Sequence, residues 1–189
     1  MDVHEAIRTR YTADAFGEGA PPRELVEQLI QTAVWAPNHH LTEPWRFFVV
    51  GGDEREKMGA AIAGWLQSDA NPETPDEDDV VRARRSMLRS PVTVVVAQRV
   101  EAGASPVRDR EDYAACCCVT HNLLLAAHAE GLAAKWATGR MSRYRGAKEY
   151  LGLTERDRIV AYVLLGYAVS HAEAPDRERT PPAVAWLGL

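Results

Sequence analysis

Arg8-Thr9-Arg10-Tyr11-Thr12 sets two guanidinium groups among hydroxyl side chains within a few residues of the N-terminus. Arginine grips phosphate with two parallel hydrogen bonds, and threonine adds a neutral donor. The stretch therefore suits a phosphate, and equally a solvated basic turn. Arg177-Glu178-Arg179-Thr180-Pro181, near the other end, is a second candidate phosphate-donor stretch; the alternative there is a charged, disordered end. His39 and His40 are adjacent, so their side chains diverge and a shared metal is awkward. Cys116, Cys117 and Cys118 precede His121; Cys117 and His121 share a helix face, but no second ligand pair appears. Three consecutive cysteines point about 100° apart on a helix, so packing as small hydrophobes is the expected role, with no metal.

Gly131 to Gly139 is lined by small residues, which let a flat ligand approach backbone N–H groups; it also reads as a plain link into an edge strand. No serine or cysteine nucleophile has an evident paired base, and no carboxylate pair stands out. Any redox or transfer chemistry then falls to a bound cofactor.

These candidates need elements to hold them. Val3–Thr9 reads as a short helix. Pro21 and Pro22 suit the first turn of a second, whose Leu25, Val26, Leu29, Ile30, Ala33 and Val34 form a helical stripe stopped by Pro37. Phe47–Val50 is a short apolar strand, Glu54–Leu66 a helix, and Val80–Arg89 a helix with a basic face. Between them, residues 68–79 are acidic and proline-interrupted, a surface excursion or a lid. Val92–Val96 is a buried strand by its β-branched run. Tyr113–Ala129 is apolar nearly all round, so it is expected to be a helix buried on all sides, packed centrally and against a second subunit, with Gly131 at its cap. Arg143–Leu151 is a further helix and Ile159–Leu165 a strand. Short strands separated by unequal helices, with no glycine-rich phosphate turn after any of them, favour an α+β sheet between helices over a dinucleotide-binding fold.

The chain has 189 residues, 46% apolar and 26% charged, which predicts a single domain over 1–189 with an ordinary core. Its formal net charge of −5 argues against nucleic acid as a partner. No signal peptide and no membrane-spanning run are apparent, and the neighbouring cysteines suit a reducing, cytoplasmic setting.

In chain order these pieces resemble the FMN-dependent nitroreductase family, most closely its small single-domain bacterial branch. The resemblance rests on Arg10-Tyr11-Thr12-Ala13-Asp14-Ala15-Phe16, on Ala36-Pro37 followed by Pro44-Trp45-Arg46-Phe47, on Gly131-Leu132 through Gly139, on Leu165-Gly166, and on Arg179-Thr180-Pro181. The chain departs from the family pattern at Asp14, Leu41 and Glu43, where a basic residue, an asparagine and a glutamine are usual.

The resemblance implies a three-layer α/β/α sandwich with a mainly antiparallel sheet, an intertwined homodimer, and residues 171–189 as an arm embracing the partner. It implies FMN at the subunit interface, with Arg10, Thr12 and Arg179 on the phosphate and Tyr11 near the ribityl chain or ring. Asn38, His39 and His40 would reach the flavin from the other subunit. Trp136, Ala137, Thr138 and Gly139 would run along the flavin edge, a backbone N–H near Thr138 meeting flavin N5. NADPH or NADH would be the reductant in a ping-pong reaction, and a small organic acceptor such as a nitroaromatic or quinone the oxidant. Two alternatives within the resemblance are a flavin-storing module with little turnover and a dedicated flavin enzyme of dehalogenase type.

Overall fold

The computed structural model describes residues 1–71, 74–139, 142, 144–169 and 179–188. In order it runs α1 (Val3–Thr9), α2 (Arg23–Ala33), β1 (Trp45–Gly51), α3 (Glu54–Leu66), α4 (Glu77–Arg85), β2 (Val92–Gln98), α5 (Pro106–Ala129), β3 (Ala133–Ala137), α6 (Arg145–Tyr150) and β4 (Arg158–Gly166). Two 3-10 turns, His39–Leu41 and Ser86–Leu88, precede β1 and β2.

The four strands form one sheet in the order β1-β2-β4-β3, and every pairing is antiparallel. The central pair, β2 and β4, is buried along nearly its whole length, as its β-branched runs require. Side chains alternate across the sheet and build two cores. Val94 and Val96 join α2 and α5 on one face, while Val95 and Ala97 join α3 and α4 on the other. The ladder slips between Val96 and Ala97, whose partners are Ala161 and Ile159. This bulge turns Ile159 toward the second core although Ala161, two residues on, faces the first. The result is the expected α/β/α layering.

On the second face α3 and α4 touch closely: a Cβ added at Gly59 would sit 2.2 Å from the Arg84 carbonyl oxygen. Gly131 has φ 75° and caps α5 through two bonds, Gly131 N–H to His128 O at 3.0 Å and Leu132 N–H to Ala127 O at 2.9 Å. This pair of bonds closes the helix and sends the chain straight into β3.

α5 is longer than its apolar run predicts, because Ser105 caps it and Pro106 fills its first turn. Within this chain it is buried along one stripe, Ala115, Cys116, Val119, Thr120, Leu123, Leu124 and Ala127, and not on all sides. Its other face, with Tyr113, Ala114 and Cys118, is exposed. Of the expected C-terminal arm, residues 171–178 and Leu189 lie outside the described residues; 179–188 are exposed and lack regular secondary structure. Pro72 and Glu73 of the acidic excursion also lie outside them, and its end is the first turn of α4. No helix among the described residues is long and apolar enough to cross a membrane.

Candidate functional site in two halves

The first half lies on the β3 edge. Asp2 caps α1 by accepting from Glu5 N–H at 2.9 Å, and the helix ends at Thr9. The chain then turns extended at Arg10 (φ −58°, ψ 130°) and runs beside β3, where Ala13 N–H donates to Ala134 O at 3.1 Å. Arg10 and Tyr11 are half-buried and Thr12 is exposed. Asp14 meets Lys135 on β3 at 2.7 Å, so the carboxylate at this position has a cation beside it.

β3 is an edge strand paired only to β4. Because Ala134 O points outward to Ala13, the backbone groups of Trp136 point outward as well, by the two-residue alternation of an antiparallel ladder; Thr138 lies one residue past its end. The Trp136 indole N–H is buried with no partner among the described residues. Among the described residues no strand lies beside β3 on this side, so the edge can take a further hydrogen-bonding partner. Gly139 follows with φ 78° and open space where a side chain would be. A phosphate-compatible Arg-Tyr-Thr segment and an open edge that accepts a planar hydrogen-bonding ring are what a flavin mononucleotide asks of one side of its site.

The second half lies beyond the opposite edge, before β1. Pro37 ends the α2 region, and Asn38 Oδ1 accepts the Glu43 N–H at 3.0 Å, closing a small loop. Inside that loop His40, Leu41 and Glu43 hold φ of 55°, 51° and 41°. Non-glycine residues in the left-handed region cost about 1–2 kcal/mol each and persist only where the surroundings hold them. Here α5 does the holding. Thr42 Oγ1 donates to the buried Asp112 at 2.7 Å, and His39 Nδ1 lies 3.0 Å from Glu111. The His39 and His40 rings stack at 4.0 Å with planes 13° apart. Two adjacent histidines thus form one flat, exposed platform rather than diverging, because His40 has a positive φ.

The segment that carries Arg10, Tyr11 and Thr12 thus meets the β3 edge through Ala13 and Asp14, at Ala134 and Lys135, and Trp136, Ala137, Thr138 and Gly139 lie further along that edge. Asn38, His39 and His40 do not join them. Edge strands β1 and β3 are three strand spacings apart, about 14 Å. Arg179 is exposed in the tail. Sequence reasoning missed Glu111, Asp112, His128 and Lys135 as supports. The signal for His128 was polarity on an otherwise apolar helix; Glu111 and Asp112 lie in the charged stretch before the apolar run and carried no such signal.

Burial pushes the Cys116 thiol up to about 12, Cys117 is raised for the same reason, and Cys118 is exposed. Among the described residues no group of three or more His, Cys, Asp or Glu side chains is placed to hold a metal.

Comparison with known proteins gives a consistent outcome. The model of the nitroreductase family matches residues 7–167. YdjA of Escherichia coli (strain K12), provisionally named an NAD(P)H nitroreductase, is 29% identical over 166 residues, covering 88% of each chain. The crystal structure of a nitroreductase-like family protein from Bacillus cereus superposes with a TM-score of 0.79 at 28% identity, covering 96% of this chain and 92% of that one. A nitroreductase from Bacteroides fragilis, solved with bound FMN, shares the fold at a TM-score of 0.74 and 21% identity, over 99% of both chains.

Proposed function

The chain belongs to the nitroreductase family, and on that premise we propose that it is an FMN-dependent NAD(P)H oxidoreductase working as a homodimer. The observation that carries this reading is the division of the site. One chain holds a phosphate-type segment and an open strand edge at β3, and a strained histidine loop beyond β1. Two copies arranged reciprocally unite unlike halves at two equivalent sites. The bare apolar face of α5 supports the same arrangement, since it offers a surface for a second copy. Names among the relatives and neighbours add support: NAD(P)H nitroreductase in the E. coli protein and bound FMN in the B. fragilis one.

In this reading Arg10 and Thr12 hold the flavin phosphate, with Arg179 assisting from the tail. Trp136, Ala137, Thr138 and Gly139 line the ring, and a backbone N–H near Thr138 donates to its N5 edge. Asn38, His39 and His40 of the second copy cover the remaining side, and Tyr11, whose ring meets His128, packs behind the phosphate segment rather than against the ribityl chain or ring. Bound flavin would accept hydride from NAD(P)H and pass it to a small organic acceptor, a nitroaromatic or a quinone. The protein's part is to orient the ring, shield it and tune its charge. The flavin-store alternative draws on the carboxylates at 14 and 43. Lys135 offsets the first, which favours a ring able to carry negative charge when reduced.

The test is the visible spectrum of the purified protein with FMN under anaerobic conditions, before and after NADPH or NADH. Rapid bleaching of a bound flavin spectrum supports the oxidoreductase. Flavin that binds and stays oxidised with both nucleotides points to storage, and no binding sinks the reading.

A further inference from the structure

We propose that His128, at the far end of α5, is the positioning residue of the phosphate-binding segment, acting as a neutral Nε2–H donor to Thr9. The inference rests on the reading of Arg10 and Thr12 as phosphate ligands.

The direction of the hydrogen bond follows from proton counting. Thr9 Oγ1 has one hydrogen and lies 2.8 Å from the Glu5 carbonyl oxygen, which can only accept. The same Oγ1 lies 2.7 Å from His128 Nε2. The proton between them therefore belongs to the imidazole, and the neutral ring is the Nε2–H tautomer. Glu5 and Arg10 are the charged groups that act on this ring. Burial, followed by the Arg10 charge, lowers its pKa, and Glu5 opposes them more weakly. The neutral form is favoured next to a guanidinium that must be free to meet an anion.

Two contacts and a helix end hold the ring. The His128 backbone carbonyl closes α5, accepting from Gly131 at 3.0 Å. The imidazole meets the Tyr11 ring in a T-shaped contact, with centroids 6.4 Å apart and planes at 87°. Thr9 is thereby tied to α5, and four residues on Ala13 is tied to Ala134 of β3. Arg10, Tyr11 and Thr12 span the gap between these two pins. Tyr11 faces the histidine, so in an extended segment Arg10 and Thr12 face away from it, together. A cradle ordered before the ligand arrives loses less entropy on binding. His128 touches no phosphate in this scheme; it sets where Arg10 and Thr12 stand.

The experiment measures Kd for FMN and for riboflavin, which lacks the phosphate, by flavin fluorescence quenching on the full-length protein. Four variants are compared: H128L, H128Q, H128N and R10Q. A glutamine amide nitrogen reaches about as far as Nε2, whereas the asparagine amide falls short. H128L and H128N are expected to weaken FMN about tenfold relative to riboflavin, the loss of one well-placed hydrogen bond. H128Q is expected to stay within about threefold of the parent, close to the floor of a single neutral hydrogen bond. Equal FMN affinity in H128Q and H128N overturns the proposal, as does loss of FMN and riboflavin alike in folded H128L. If H128L does not fold, the glutamine–asparagine comparison decides. An R10Q variant that keeps the full FMN preference over riboflavin overturns the phosphate reading itself and this inference with it. R10Q losing that preference while H128N keeps it overturns only the role of His128.

Discussion

Glu111 and His128 stand on the same helix, α5, and each supports a different one of the two candidate half-sites: Glu111 meets His39, and His128 meets Thr9. At 1.5 Å per residue they are about 25 Å apart along the axis. A flavin mononucleotide placed against one cannot also touch the other. The helix that organises both halves is therefore also what keeps them separate within one chain.

Replacing Arg10 by glutamine should weaken FMN binding by about 10- to 100-fold, the range of one charge-assisted hydrogen-bonding pair. Riboflavin binding should change little. Fluorescence titration with both ligands measures the difference. Equal weakening of both would place Arg10 away from the phosphate.

Thr138→Pro removes the N–H that this reading assigns to flavin N5, just past the end of β3, without touching the β3–β4 ladder. The melting temperature should hold, while the spectrum and potential of bound flavin shift and reduction by NAD(P)H slows. An unchanged potential would mean that the ring does not lie on this edge.

Thr42→Val leaves the buried Asp112 without its 2.7 Å donor and frees a loop that stores left-handed backbone. The expected loss is about 1–3 kcal/mol. For a chain of this size that corresponds to a fall in Tm of about 2–12 °C, read by thermal melting. The parent Tm in this variant would show that Asp112 is satisfied without Thr42.

Asp109 is held below the usual carboxylate range, chiefly by hydrogen bonds from Arg158 at 2.7 and 2.8 Å, with Gln98 assisting. A depressed folded pKa contributes stability above the unfolded value, near pH 3.9, and loses it as pH falls through the folded value. Asp109→Asn should therefore lower stability at neutral pH and flatten the acid limb below about pH 4. Urea unfolding across pH 2 to 7 tests this; parallel curves for the two proteins would count against the pairing.

Much of the fold was legible because apolar periodicity carries it. The stripe of α2, the β-branched run of β2 and the glycine after α5 all predicted elements that are present. The start of α5 was not legible. Arg108, Asp109, Arg110 and Glu111 have no apolar period, and their use is tertiary: Asp109 pairs with a strand residue and Glu111 with a loop. Burial of α5 on all sides was likewise an inference from composition, and a single chain covers only one stripe of it.

The site divides the same way. Residue types suggested a phosphate at Arg10 and Thr12 and a flat ligand along Gly131 to Gly139, each beside a plain structural reading; the roles of the histidine pair and of Trp136 to Gly139 came from the family resemblance. Their grouping was beyond sequence. Which candidates share an edge depends on the strand order β1-β2-β4-β3, set by long-range pairing, and the strain at His40, Leu41 and Glu43 depends on carboxylates about seventy residues away. Local chemistry determines what each residue can do; only packing over long sequence separations decided which of them lie near one another, and that the histidine loop and the Arg10 segment stand at opposite edges of the sheet.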